Sequence, residues 1–252
     1  MTSIQWTAAC IAALIIGVSK TGIPGIGILA VTVLAMAFPA KLSVGVMLPM
    51  LIVGDVFAAI YYRRKPQWRI IWRVTPPAVI GIVIGYFIMK AIGPPGPESD
   101  ALLKRIIGGI ALGLLTLQAL SDFGVFTMER VPHHWAFAWS LALLAGVVTM
   151  LSNAAGPIIL IFFLAMKLDK LRFIGSIAWY FLLLNLFKVP FFVALDMISV
   201  DSLTFDAMVA PIILIGAGLG LFAPRLIPER PFRWVIMVLA SAAAVKLLAS
   251  GW

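Results

Sequence analysis

The stretch Ser19-Lys20-Thr21-Gly22-Ile23-Pro24-Gly25 separates two apolar runs, 4–18 and 25–38, and its reading decides the fold. A lysine, two hydroxyls and three backbone breakers interrupt what is otherwise hydrocarbon-compatible sequence. Runs of 14 or 15 residues reach only about 22 Å at helical rise, short of a hydrocarbon core roughly 30 Å thick. The pair therefore reads as a broken-helix hairpin, tolerated in a bilayer only where the freed backbone is buried in protein or lines a cavity. The stretch Thr149-Met150-Leu151-Ser152-Asn153-Ala154-Ala155-Gly156-Pro157 breaks the runs 136–150 and 155–166 in the same manner.

Outward from these two breaks lie six longer apolar runs, at 42–61, 70–91, 101–120, 173–195, 207–223 and 232–248. Each is of spanning length. The 252 residues are 63% hydrophobic and 12% charged with a mean hydropathy of +1.11, which excludes an ordinary soluble domain. The chain reads as an all-α polytopic membrane protein with the lipid bilayer as its main partner. The first run has no basic residue before it, so it is expected to be retained as a span rather than cleaved as a signal peptide.

The net charge of +9 reports topology rather than nucleic-acid binding, because the basic residues cluster between apolar spans. If both hairpins return to the side they started from, one face carries Arg63, Arg64, Lys65, Arg69, Arg73, Arg130, Lys167, Lys170, Arg172, Arg225, Arg230 and Arg233. The other carries Lys41, Lys90, Lys104 and Arg105, twelve against four. The positive-inside rule then places both termini outside the cytoplasmic membrane.

Spacing also repeats. Pro76, Gly81 and Gly85 match Pro211, Gly216 and Gly220; Gly17 and Gly27 match Gly146 and Gly156; Gly45 and Asp55 match Gly175 and Asn185. The order is preserved across a hairpin and two helices, which predicts two related halves. The first spans 1–120 (hairpin 4–38, helices 42–61, 70–91 and 101–120), followed by a cytoplasmic linker at 121–135. The second spans 136–252 (hairpin 136–166, helices 173–195, 207–223 and 232–248). A hairpin plus three crossings makes an odd count, so the halves form an inverted repeat, and such repeats with matched breaks point to a transport site near the midplane.

The candidate site is drawn from those breaks. At the first, Lys20, Thr21, Gly22, Pro24 and Gly25 offer a cation, a hydroxyl and the free N–H groups of a helix start, the chemistry that binds an anion. At the second, Ser152, Asn153 and Gly156 offer neutral donors, with Asn153 equally suited to capping the next helix. Asn185 and Lys188 share a helix face, and Lys188 also has the option of snorkelling to the interface. Asp55 is the one carboxylate deep in a predicted span, about 5 Å past its centre. It reads as a coupling group or an ion-pair partner of Lys20 or Lys188. No HExxH, GxSxG or P-loop pattern occurs, and no nucleophile and base stand at recognisable spacing, so neither an enzyme nor a cofactor or metal site is expected. The single Cys10 makes no disulfide framework within one chain. Oligomerisation finds no support in the sequence.

SKTGIPGIGIL at 19–29, FPAK at 38–41, LPMLIVGD at 48–55, YYRR with Trp68 at 61–68, LSNAAGPI at 151–158 and LLLNLFKVPF at 182–191 together resemble the sulfite exporter TauE/SafE family over nearly the whole chain. The resemblance implies a permease of the cytoplasmic membrane, built from two related halves, that exports sulfite, thiosulfate or an organosulfonate. Two other readings stand beside it. One is a carrier of another small organic anion such as a carboxylate, with Asp55 carrying a proton. The other is a membrane-anchored partner of a sulfur-metabolism enzyme, docked through Arg63 to Arg73.

Overall fold

A computed structural model describes residues 2–23, 25–123, 135–166, 168–226 and 229–249. Among the described residues ten α-helices follow one another: α1 Ser3–Thr21, α2 Gly27–Ala37, α3 Ala40–Tyr61, α4 Trp68–Ala91, α5 Pro97–Asp122, α6 Trp135–Ser152, α7 Gly156–Ala165, α8 Lys170–Ala194, α9 Val200–Leu226 and α10 Glu229–Ala249. Every apolar run has its helix, and no strand occurs among the described residues. Most of the expected linker lies outside the described residues; its first two residues close α5.

Local chemistry sets the ends. Thr2 caps α1 by accepting from the Gln5 amide at 3.3 Å while the Gln5 side chain accepts from the Thr2 amide at 2.9 Å, a reciprocal capping box. Asp169 caps α8 by accepting from the Arg172 amide at 3.0 Å. In α5, Pro97 opens the helix and Glu98 and Asp100 complement its positive end. The breaks are set by two residues with left-handed backbone, Gly25 at φ 97° and Asn153 at φ 57°.

One correction concerns the hairpin arms. The reading of two short arms holds for α2 and α7, at 11 and 10 residues. It does not hold for α1, where Ser19, Lys20 and Thr21 stay helical and extend the helix to 19 residues, about 28 Å, nor for α6, which reaches 18 residues, about 27 Å. Helices α1, α3, α4, α8 and α9 are each long and apolar enough to cross a membrane.

The most extensive pairings are α1 along α9 and α4 along α6. Both depend on glycine. A methyl group at Gly17 would overlap the Ile213 carbonyl and one at Gly216 the Leu14 carbonyl; on the other interface Gly146 abuts Ala78 and Gly81 abuts Leu143. Small residues let the backbones touch, where lipid offers no hydrophobic drive to hold helices together. When α6 to α10 are matched in order to α1 to α5, the α1–α9 contact corresponds to α6–α4, α3–α9 to α8–α4, and α2–α10 to α7–α5. Helices α3 and α8 pack on each other at the centre, where their polar residues meet.

Candidate functional site

The site is assembled from the two breaks and the central helix pair. Lys20, in the last turn of α1, reaches Asp55 on α3 at 2.7 Å. Gly54 leaves room for the lysine stem, since a Cβ there would stand 3.1 Å from Lys20 Cγ. Asp55 is fully buried, and its other oxygen accepts from Asn185 Nδ2 at 2.6 Å, so the repeat-matched residues of α3 and α8 touch directly. The Lys20 ammonium also stands 4.9 Å from the centroid of the Phe181 ring, within cation–π range.

Lys188 is handled differently. It is fully buried, and its ammonium donates to the Thr149 carbonyl at 3.1 Å, the Thr149 hydroxyl at 3.0 Å and Asn153 Oδ1 at 2.6 Å. Three acceptors match the three donors of a lysine ammonium. Asn153 in turn donates through Nδ2 to the Val44 carbonyl at 2.9 Å, tying the second break to α3.

Between these groups lies a cavity of about 70 Å³, room for several waters or one small polyatomic anion. Lys20, Gly25, Asp55, Asn153, Gly156 and Asn185 line it together with Ser19, Thr149 and the apolar side chains of Met47, Leu51 and Phe181. Gly27 and Ile28 bring the start of α2 to the wall, and Gly156 and Pro157 bring the start of α7. No side chain caps α2; Leu29 N–H donates to the Ile26 carbonyl at 3.1 Å, and the N–H groups of Gly27 and Ile28 stand at the cavity wall. The arrangement has the chemistry to bind a small anion between one partly exposed cation and two positive helix ends.

Not every predicted residue reaches this cavity. Thr21 is one residue beyond Lys20, about 100° further round the helix, and its hydroxyl donates to the Ala217 carbonyl on α9 at 2.6 Å. Gly22 packs on Gly220 of the same helix. Ser152 turns back on its own helix, donating to the Val148 carbonyl at 2.9 Å. These three serve packing. Lys188 stands behind Thr149 and Asn153 rather than on the cavity wall, and its burial removes the snorkelling reading. Pro24 lies outside the described residues.

Thr149 is not among the residues that the sequence singles out, although it is the repeat match of Lys20 at the same 129-residue offset as Gly17 and Gly146. Phe181 and Gln118 carried no such signal. Gln118, on α5, is buried with its amide beside Gly25, where a Cβ would stand 3.4 Å from its Nε2. Among the described residues no group of three or more His, Cys, Asp or Glu is placed to hold a metal ion.

The family model described as sulfite exporter TauE/SafE matches residues 9–247. No curated protein and no solved structure matches the chain. The match covers the helices, both breaks and all the residues round the cavity, and on it the chain belongs to the TauE/SafE family of sulfur-anion transporters in membranes.

Proposed function

We propose that the protein exports a small sulfur oxyanion, sulfite, thiosulfate or an organosulfonate, across the cytoplasmic membrane through the cavity between its two breaks. The observation that carries this reading is the convergence of Lys20 and the starts of α2 and α7 on one small cavity whose single acid, Asp55, is already paired. Beside that pair, the positive ends of α2 and α7 at the cavity wall favour one bound anion.

Supporting the direction is the membrane potential, which when negative inside favours anion exit by about 2.3 kcal/mol per charge per 100 mV. Export then needs no coupling ion. The reciprocal helix contacts and the matched positions of Asp55 and Asn185 support an inverted repeat with the site at its axis. Exposed Arg63, Arg64 and Lys65 in the turn after α3, with Arg69 and Arg73 in the first turns of α4, support a cytoplasmic placement of that end, and with it both termini outside.

The test is efflux of sulfite from proteoliposomes by the unsubstituted protein and by Lys20→Gln. Loss of one charge-assisted contact is expected to lower flux about 10- to 100-fold. Flux unchanged by the substitution would remove Lys20 from the site. A second reading, proton-coupled carriage of a carboxylate or other organic anion, draws on the full burial of Asp55 at the cavity wall. Competition by acetate stronger than by thiosulfate would favour it.

A further inference from the structure

We propose that Lys188 is a second anion station, separated from the cavity by a partition made of Thr149 and Asn153, and that the transported anion itself is its counter-charge. The proposal rests on the transport reading above and adds a path to it.

A buried ammonium is costly unless a negative charge or metal compensates it. Lys188 has no carboxylate within salt-bridge distance among the described residues, and Asp55 is engaged by Lys20 and Asn185. Its hydrogen-bond partners are a carbonyl, a hydroxyl and an amide oxygen, all neutral, and the Phe192 ring centroid 5.6 Å away adds a cation–π contact but no negative charge. Two of those three acceptors belong to Thr149 and the third to Asn153, both of which line the cavity that Lys188 does not reach. The ammonium is therefore one side-chain layer behind the cavity wall.

Asn153 holds the partition by two hydrogen bonds. Its backbone is at φ 57°, a left-handed conformation that asparagine adopts more readily than most residues, and its side chain bridges Lys188 and the Val44 carbonyl. In the proposed relay those two hydrogen bonds break and the Asn153 side chain leaves the Lys188 ammonium open to the cavity, whose wall includes the start of α7. An anion leaving Lys20 would then meet a second cation beside a second helix end. Pro190, within α8 two residues after Lys188, removes a backbone hydrogen bond of that helix and leaves this turn of α8 free to shift.

The test separates binding from passage, using radiolabelled sulfite with thiosulfate and sulfate as competitors. Equilibrium binding to the purified protein is compared with exchange across proteoliposomes for the unsubstituted chain, Lys20→Gln, Lys188→Met and Lys188→Arg. Lys188→Met is expected to bind within about three-fold of the unsubstituted chain and to exchange at least about ten-fold more slowly. Lys188→Arg, which keeps the charge, is expected to recover part of the exchange. Lys20→Gln is expected to lose binding itself. Wild-type exchange by Lys188→Met overturns the proposal, as does loss of binding equal to that of Lys20→Gln, since either makes the two lysines other than successive stations. Failure of both Lys188 variants to purify as folded, monodisperse protein also overturns it, by making Lys188 a structural prop. Absence of any binding by the unsubstituted chain sinks the transport reading and the relay together, and is told apart by the silence of the parent protein.

Discussion

At the scale of single residues, the Lys20–Asp55–Asn185 chain is a buried polar network in which each member depends on the next. Removing one partner of a buried ion pair leaves the other charge uncompensated and costs about 3–5 kcal/mol, whereas replacing both by apolar residues of similar volume is often neutral. Asp55→Asn is therefore expected to lower the melting temperature of the detergent-purified protein markedly. The double variant Lys20→Met with Asp55→Leu is expected to recover part of that stability, the Asn185 amide being left without its acceptor, and still fail to transport. A double variant as unstable as Asp55→Asn would show that the pair is not a self-contained unit. Phe181 acts through its ring face on the Lys20 ammonium, 4.9 Å away. Phe181→Leu keeps the apolar wall and removes an interaction worth about 1–2 kcal/mol in a desolvated site. The expected effect is a change of about 5- to 30-fold in half-saturating substrate concentration, read from initial flux rates; an unchanged value would show that the ring only fills space.

Among the elements, the α1–α9 and α4–α6 pairs hold the two breaks in place, and each relies on glycine at the point of contact. Gly146→Leu and Gly17→Leu force those backbones apart. Overpacking of this kind costs about 1–3 kcal/mol, and it is expected at both positions alike because they occupy matched places. Gly113→Leu on α5 is the control, since nothing stands within 4 Å of a Cβ there and the position is exposed. Its expected effect on thermal unfolding is within about 0.5 kcal/mol. Equal losses at Gly113 and Gly146 would deny the close-packing account.

The ten helices and the glycine faces were legible in the sequence because both follow from local pattern: apolar length, breakers and fixed spacing. Lys20, Asp55 and Asn185 were legible because charged or amide groups inside spans are rare. Thr21 and Ser152 misled because break residues differ by about 100° in facing, and which way each points is decided by the helix packed alongside. Gln118 and Phe181 were invisible for the same reason: they reach the site from elements far along the chain, and nothing in their own neighbourhoods marks them.

For the molecule as a whole, the account ties transport to two related halves meeting at Asp55 and Asn185, with anion-binding helix starts from each half. Topology is testable separately. A cysteine at Thr2 in a Cys10→Ser background is expected to react with a membrane-impermeant thiol reagent in right-side-out vesicles, and a cysteine at Arg64 to react only after permeabilisation. The reverse pattern would invert the orientation. The most direct test of the central claim is sulfite efflux from proteoliposomes under a membrane potential alone, without a proton gradient. Saturable efflux that rises with the potential and is inhibited by thiosulfate is the predicted result. Efflux that appears only when a proton gradient is added would contradict an uncoupled export path and move the mechanism to Asp55.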